Sequence, residues 1–158
     1  MTRKKVNNDQ SKSHVSKVNN EAMKQAMRYY RKLNYIVDDV SGNKKRGKKG
    51  YDLEISKDGE KKSVEVKGTT KNGIPDAYES EFDGIDKEPK EPKELKFKAH
   101  ELCLVKMNSS SKSEEIVILS REQIDEYQNF HKVVKRVRFS SRLRTNVNKG
   151  KIGGHIKL

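Results

Sequence analysis

Residues 50–68 read GYDLEISKDGEKKSVEVKG. Two runs within it, YDLEIS at 51–56 and KSVEVK at 62–67, alternate apolar and polar residues with the period of a half-buried strand. Between them stands Asp58-Gly59, a strong hairpin dipeptide, because both central positions of a type I′ turn need positive φ. A β-hairpin is therefore expected, with Asp52 at the start of one strand and Glu65 and Lys67 on the other. Residues i and i+2 of a strand share a face, so Glu65 and Lys67 project together while Val66 points away. Closing the hairpin brings Asp52 beside them, and two carboxylates meet one ammonium.

Working outward, Ala22, Met23, Ala26, Met27, Tyr30 and Leu33 recur at helical spacing. Asn19 or Asn20 serves as cap for a helix beginning near Glu21, and Asn34 as its stop. Residues 35–40 (YIVDDV) read as a first strand and 41–50 (SGNKKRGKKG) as a flexible basic loop. Residues 71–96 hold all three prolines and eight acids against five basic residues, which reads as an insertion or long loop. Beyond it, 97–101 (FKAHE) suggests a short helical turn, and 102–107 (LCLVKM) and 115–119 (EIVIL) suggest buried strands. Ser120-Arg121-Glu122-Gln123 resembles a capping box opening a helix to about Phe130, and 133–139 (VVKRVRF) reads as a last strand. The order predicts one α/β domain with a mixed sheet over 19–139. It is flanked by a basic, disordered tail at 1–18 and a basic, Gly-rich segment at 140–158.

The chain has 158 residues with 36 Lys+Arg and 23 Asp+Glu, a formal charge of +13. Residues 1–18 carry net +4 and residues 131–158 net +9, so the stretch between them is neutral. A neutral body with cationic ends fits a polyanionic partner, and nucleic acid is expected, although basic ends also serve solubility alone. No apolar run approaches the ~20 residues of a membrane helix, and the N-terminal stretch lacks the apolar core of a secretory signal. The one cysteine, Cys103, excludes an internal disulfide framework and a Cys-rich zinc site, and reads as a core residue. A reducing, cytoplasmic setting is expected.

Asp52, Glu65 and Lys67 suit phosphodiester hydrolysis. Hard carboxylate oxygens bind Mg²⁺ or Mn²⁺, usually one or two carboxylates beside waters and substrate phosphate. A neighbouring Lys orients or helps deprotonate water and pairs with the scissile phosphate. Glu-x-Lys on a strand is by itself commonplace, as an exposed cross-strand charge pair; the Gly-Tyr-Asp run thirteen residues upstream and Gly68 just after are what distinguish it here. Lys44, Lys45, Arg46, Lys48 and Lys49 precede Asp52 and are read as phosphate contacts, against the alternative of a solvated charge run. Arg136, Arg138, Arg142 and Arg144 alternate, so a strand would present them on one face as a second nucleic-acid surface. The four histidines show no ligand spacing. Glu54 is read as a surface residue and Gly153-Gly154 as tail flexibility.

The run GYDLEI…VEVKGTT resembles the PD-(D/E)XK nuclease superfamily, with Asp52, Glu65 and Lys67 at its motif positions. Residues 20–70 are more closely similar to the branch related to the C-terminal domain of the plant NO VEIN protein, near the Mrr-type restriction nucleases. The matching residues are Glu21-Ala22-Met23, Tyr29-Tyr30, the run from Asn34 to Ser41, Gly50-Tyr51-Asp52 and Glu65-Val66-Lys67-Gly68. Tyr51 stands where the superfamily's proline would be, and Asn34 where a small residue is usual. The resemblance implies a restriction-endonuclease-like fold and a Mg²⁺-dependent (or Mn²⁺-dependent) DNA endonuclease of restriction or defence type. Asp52 and Glu65 would be metal ligands, Glu21 a further site carboxylate, and Lys67 the residue that positions water. One such site cuts one strand, so a homodimer is expected from mechanism. The alternatives are a structure-selective nuclease such as a Holliday junction resolvase, a non-catalytic DNA-binding module that keeps the fold, and a basic RNA-binding protein.

Overall fold

The protein is described from a computed structural model covering residues 3–42, 50–70, 75, 77–78, 81–83, 96–126, 131–133, 136–139 and 141–158, with the backbone path alone for 3–14, 77–78, 83, 131–133 and 136–138. The first half contains α1 (Arg3–Lys32), β1 (Ile36–Asp39), β2 (Leu53–Lys57), β3 (Glu60–Thr69), β4 (Ala77–Tyr78), β5 (Phe82–Asp83) and β6 (Lys96–Phe97). The second contains β7 (Glu101–Met107), β8 (Ser113–Ser120), α2 (Arg121–Glu126), β9 (His131–Val133), β10 (Arg136–Arg138), α3 (Ser141–Asn148) and β11 (Gly154–Lys157).

Six strands form one mixed sheet in the order β1-β2-β3-β7-β8-β11. Only the β3–β7 pair is parallel, in the register Glu65 opposite Leu102 and Lys67 opposite Leu104. The β2–β3 turn closes as expected: Lys57 pairs with Glu60, and Asp58 and Gly59 have φ of 52° and 85°.

Helix α1 covers one face. Val18, Ala22, Ala26 and Tyr30, one turn apart, pack on Leu53, Val64, Val66, Cys103 and Val105. The helix packs tightly over Gly68, where an added Cβ would lie 2.9 Å from the Val18 Cγ1 and carbonyl oxygen and 3.0 Å from the Ala22 Cβ. Its C-terminus is a Schellman turn built on asparagine. Asn34 takes φ 65°, while the Tyr35 and Asn34 N–H groups donate to the Tyr30 and Arg31 carbonyls. The other face buries Leu102, Leu104, Val117 and Leu119 beneath Ile124 of α2, Leu143 and Val147 of α3, and Phe82, Phe97 and Phe139. Among the described residues no helix is long and apolar enough to cross a membrane.

Several expectations are corrected. The tail at 1–18 is not separate from the first helix, which starts at Arg3 and leaves Asn19 and Asn20 in its interior. No Gly or Pro interrupts residues 1–41, and Val18 extends the apolar stripe back from Ala22. Residues 97–101 are not helical: 96–97 pairs with β5, and β7 begins at Glu101. The expected last strand is two, β9 and β10, paired antiparallel. The C-terminal segment supplies a helix and the sixth sheet strand. Gly153 is not slack chain, because it has φ 84° and an added Cβ would lie 2.9 Å from Val117 Cγ1. The capping box at Ser120 forms reciprocally: the Gln123 N–H donates to Ser120 Oγ and the Ser120 N–H to Gln123 Oε1.

Candidate active site

The hairpin register, Leu53 opposite Val64, sets Asp52 beside Glu65 at the mouth of β2. Two bonds lock Asp52 there: its N–H donates to the Val64 carbonyl at 3.0 Å, and its Oδ2 accepts the Val66 N–H at 3.0 Å. Glu65 and Lys67 lie on the sheet face opposite α1, each 7% exposed. Their side chains are 3.4 Å apart from Lys67 Nζ to Glu65 Oε1.

A fourth residue joins them. Glu81, 3% exposed, places Oε1 2.9 Å from Lys67 Nζ. It sits immediately before β5, within the stretch read from sequence as an insertion. Two anchors hold it. The Lys98 N–H donates to the Glu81 carbonyl at 2.9 Å, and Phe82 packs edge-on against Phe97 with centroids 5.4 Å apart. Arg121 ties the same strip down by donating from Nε to the Ala99 carbonyl at 2.9 Å and from its guanidinium to the Lys98 carbonyl. Nothing in the acid-rich composition of 71–96 marks this one carboxylate; the only local cue is the adjoining Phe82.

Three carboxylates and one ammonium thus share a largely dry site. Burial raises the Asp52 carboxyl above its ordinary value; the Val66 N–H and Lys67 pull it down, Glu81 and Asp39 push it up, and the net effect is upward. Glu65 is pushed well up, chiefly by burial, with Lys67 opposing and Glu81 and Asp52 adding to the rise. Burial alone would depress the Lys67 ammonium, but Glu81 and Glu65 outweigh it, so Lys67 is held protonated. The negative surplus leaves one atom unsatisfied: Glu81 Oε2 is buried without a hydrogen-bond partner.

Those features fit a hard divalent cation. The donors are carboxylate oxygens, the site carries more negative than positive charge, and a buried oxygen lacks a partner. Among the described residues no three Asp, Glu, His or Cys side chains are grouped so as to hold a metal ion by themselves. An ion here would therefore keep much of its water, as Mg²⁺ does.

The other residues singled out from sequence fall elsewhere. Glu21 is not brought to this site. It lies on α1, across the sheet from Glu65, where its Oε1 accepts from Gln25 Nε2 at 2.8 Å and Ser113 Oγ at 3.3 Å. Its place in the first turn of a helix starting near residue 21 is lost once that helix starts at Arg3. Lys44, Lys45, Arg46, Lys48 and Lys49 lie outside the described residues. The four arginines do not share a strand face: Arg136 and Arg138 are on β10 and Arg142 and Arg144 on α3, whose Leu143 and Val147 are buried one turn apart. Glu54 accepts a hydrogen bond from the Tyr51 hydroxyl at 3.1 Å. Cys103 is fully buried, and burial pushes its thiol pKa up.

A groove of about 390 Å³ lies farther along the hairpin, lined among others by Tyr51, Lys61, Ser63, Lys98 and His100 and by none of Asp52, Glu65, Lys67 and Glu81. His100 Nδ1 accepts the Ser63 N–H at 3.0 Å, which leaves Nε2 as the ring's N–H donor. Burial, Arg121 and Lys62 lower its pKa, so that donor is neutral.

A family model described as Protein NO VEIN, C-terminal, matches residues 18–77. The matched stretch runs from the part of α1 that packs on the sheet through β3, and so contains Asp52, Glu65 and Lys67 but not Glu81. No curated protein and no solved structure matches the chain.

Proposed function

We propose that this chain is a Mg²⁺-dependent DNA endonuclease of restriction or defence type. The observation that carries the reading is the grouping of half-buried Asp52 with buried Glu65 and Lys67 on one hairpin face, with carboxylate in surplus over ammonium. The similarity of residues 18–77 to the NO VEIN C-terminal family agrees with it.

Asp52 and Glu65 would hold the ion. When bound, it acidifies a coordinated water and offsets the charge that develops on the phosphate. Lys67 is fixed between Glu65 and Glu81 and stays protonated, so it acts as a preorganised donor to the attacking water or a phosphate oxygen. Asp52 is oriented by the Val66 N–H on Oδ2, so Oδ1 is the oxygen that would be offered to an ion. Lys61 and Lys98 along the groove offer phosphate contacts that set register without reading sequence. One site cuts one strand, so cleavage of a duplex calls for a second copy of the chain or a second binding event.

The test is incubation of the purified chain with supercoiled plasmid and with a branched junction, in Mg²⁺, Mn²⁺ or chelator, beside Lys67→Ala. Metal-dependent nicking or linearisation that Lys67→Ala loses is expected, and discrete bands would mark sequence preference. DNA binding without cleavage of either substrate by the wild type would overturn the reading and leave a binding module.

A further inference from the structure

We infer that Glu81 is a cation-binding carboxylate of this site, acting through Oε2 on the ion or on a water of its shell. The inference rests on the metal-dependent reading above and extends it to a residue outside the stretch matched by the family model. Three observations carry it.

The first is the orphaned oxygen. Glu81 is 3% exposed and its Oε1 accepts from Lys67; among the described residues Oε2 is buried without a hydrogen-bond donor, and the only other group its carboxyl is shown to meet is that of Glu65, with which it shares a hydrogen bond when Glu65 is protonated. A buried carboxylate oxygen without a donor is costly, so the fold retains it at a loss unless a proton or a cation meets it. The second is investment in its position. The segment carrying Glu81 is clamped by the Lys98 N–H, by the packing of Phe82 on Phe97 and Phe139, and by Arg121 holding the Lys98 and Ala99 carbonyls. A carboxylate whose task was only to neutralise Lys67 would duplicate Glu65, which already lies 3.4 Å from the same ammonium. The third is charge. With Glu81 the grouping has three carboxyls to one ammonium; a divalent cation would balance them once ionised, in place of the protons that the raised pKa values of Glu65 and Asp52 favour.

Glu81 then has two tasks divided between its two oxygens. Oε1 holds Lys67 protonated and aimed, and Oε2 joins the cation's shell. Because Mg²⁺ keeps several waters, a carboxylate held one water away still contributes.

The experiment titrates Mn²⁺ into the full chain by calorimetry for wild type, Glu81→Gln, Glu81→Asp and Asp52→Asn, and measures the Mg²⁺ midpoint of plasmid cleavage. Glu81→Gln is expected to weaken Mn²⁺ binding at least tenfold and to move the Mg²⁺ midpoint upward by a similar factor, with cleavage partly recovered at saturating Mg²⁺. Glu81→Asp, which keeps the charge on a shorter arm, should fall between. Unfolding in chelator confirms that each variant folds, and if Glu81→Gln does not, Glu81→Asp decides alone. Wild-type affinity in the Glu81 variants, with binding lost in Asp52→Asn, would overturn the inference and leave the nuclease reading standing. A wild-type chain that binds no Mn²⁺ would overturn both.

Discussion

Replacing Lys67 with Met removes the one ammonium that, among the described residues, pairs with Glu65 and Glu81, and leaves a side chain of similar length. Lys67 is 7% exposed and lies 2.9 Å from Glu81 and 3.4 Å from Glu65. The variant cannot keep the same ionisation, so the cluster must take up an additional proton. From an ordinary glutamate pKa near 4.3, that uptake costs about 3.7 kcal/mol at pH 7 and about 1 kcal/mol at pH 5. The larger figure falls within the ~3–5 kcal/mol found when one member of a buried ion pair is removed. Lys67→Met should therefore lose about 3–4 kcal/mol at pH 7 and about 1 kcal/mol at pH 5. Urea unfolding in chelator, followed by circular dichroism at both pH values, measures it. Lys62→Met is the control: its pair with Glu101 is 38% and 17% exposed, so it should lose under about 1 kcal/mol with little pH dependence. A Lys67→Met variant as stable as wild type at pH 7, or one losing the same amount at both pH values, would refute the reasoning.

Other outcomes follow from the same geometry. Glu65 and Asp52 have raised values in the folded chain, so the stability they contribute is full below the ordinary carboxylate range and is lost as pH rises through those raised values. A cation that binds the ionised groups should thus raise the melting temperature more at pH 8 than at pH 5.5, and equal shifts would count against cation binding at these carboxylates. Gly68→Ala should lose about 1–3 kcal/mol, because its methyl would press on the Val18 carbonyl at 2.9 Å, and an unchanged denaturation midpoint would show that α1 yields freely. At Asn34, φ 65°, substitution by Ala should cost roughly 1 kcal/mol while Gly is tolerated or slightly stabilising, and thermal melts that rank Ala above Gly would contradict the Schellman assignment.

The hairpin was legible because its determinants are local. Asp58-Gly59 sets the turn, and strand alternation puts Glu65 and Lys67 on one face whatever surrounds them. The Ser120 cap was readable for the same reason. Glu81 was not, since its place depends on Phe82 finding Phe97 and on a backbone bond to Lys98, and neither leaves a periodic trace. The start of α1 was missed because Asn and Ser discourage helix locally, while Val18 against Gly68 is a tertiary contact that overrides them. Strand β11 was missed because GHIK is too short and too polar to read as a strand until it pairs with Glu115–Ile118 of β8.

The parallel seam between β3 and β7 imposes an order of events on the folding chain. The β2–β3 hairpin closes over two residues and can form within microseconds, whereas β3 meets β7 only after the roughly thirty intervening residues have been looped back. Until that docking, Asp52, Glu65 and Lys67 lie on an open hairpin face and keep their hydration. Their dehydration, and that of Glu81, therefore coincides with the late, non-local step and heightens its barrier. A chain carrying well-packed apolar residues at 65, 67 and 81 would close its sheet faster, so the charges that equip the site also set the pace at which the molecule assembles around it.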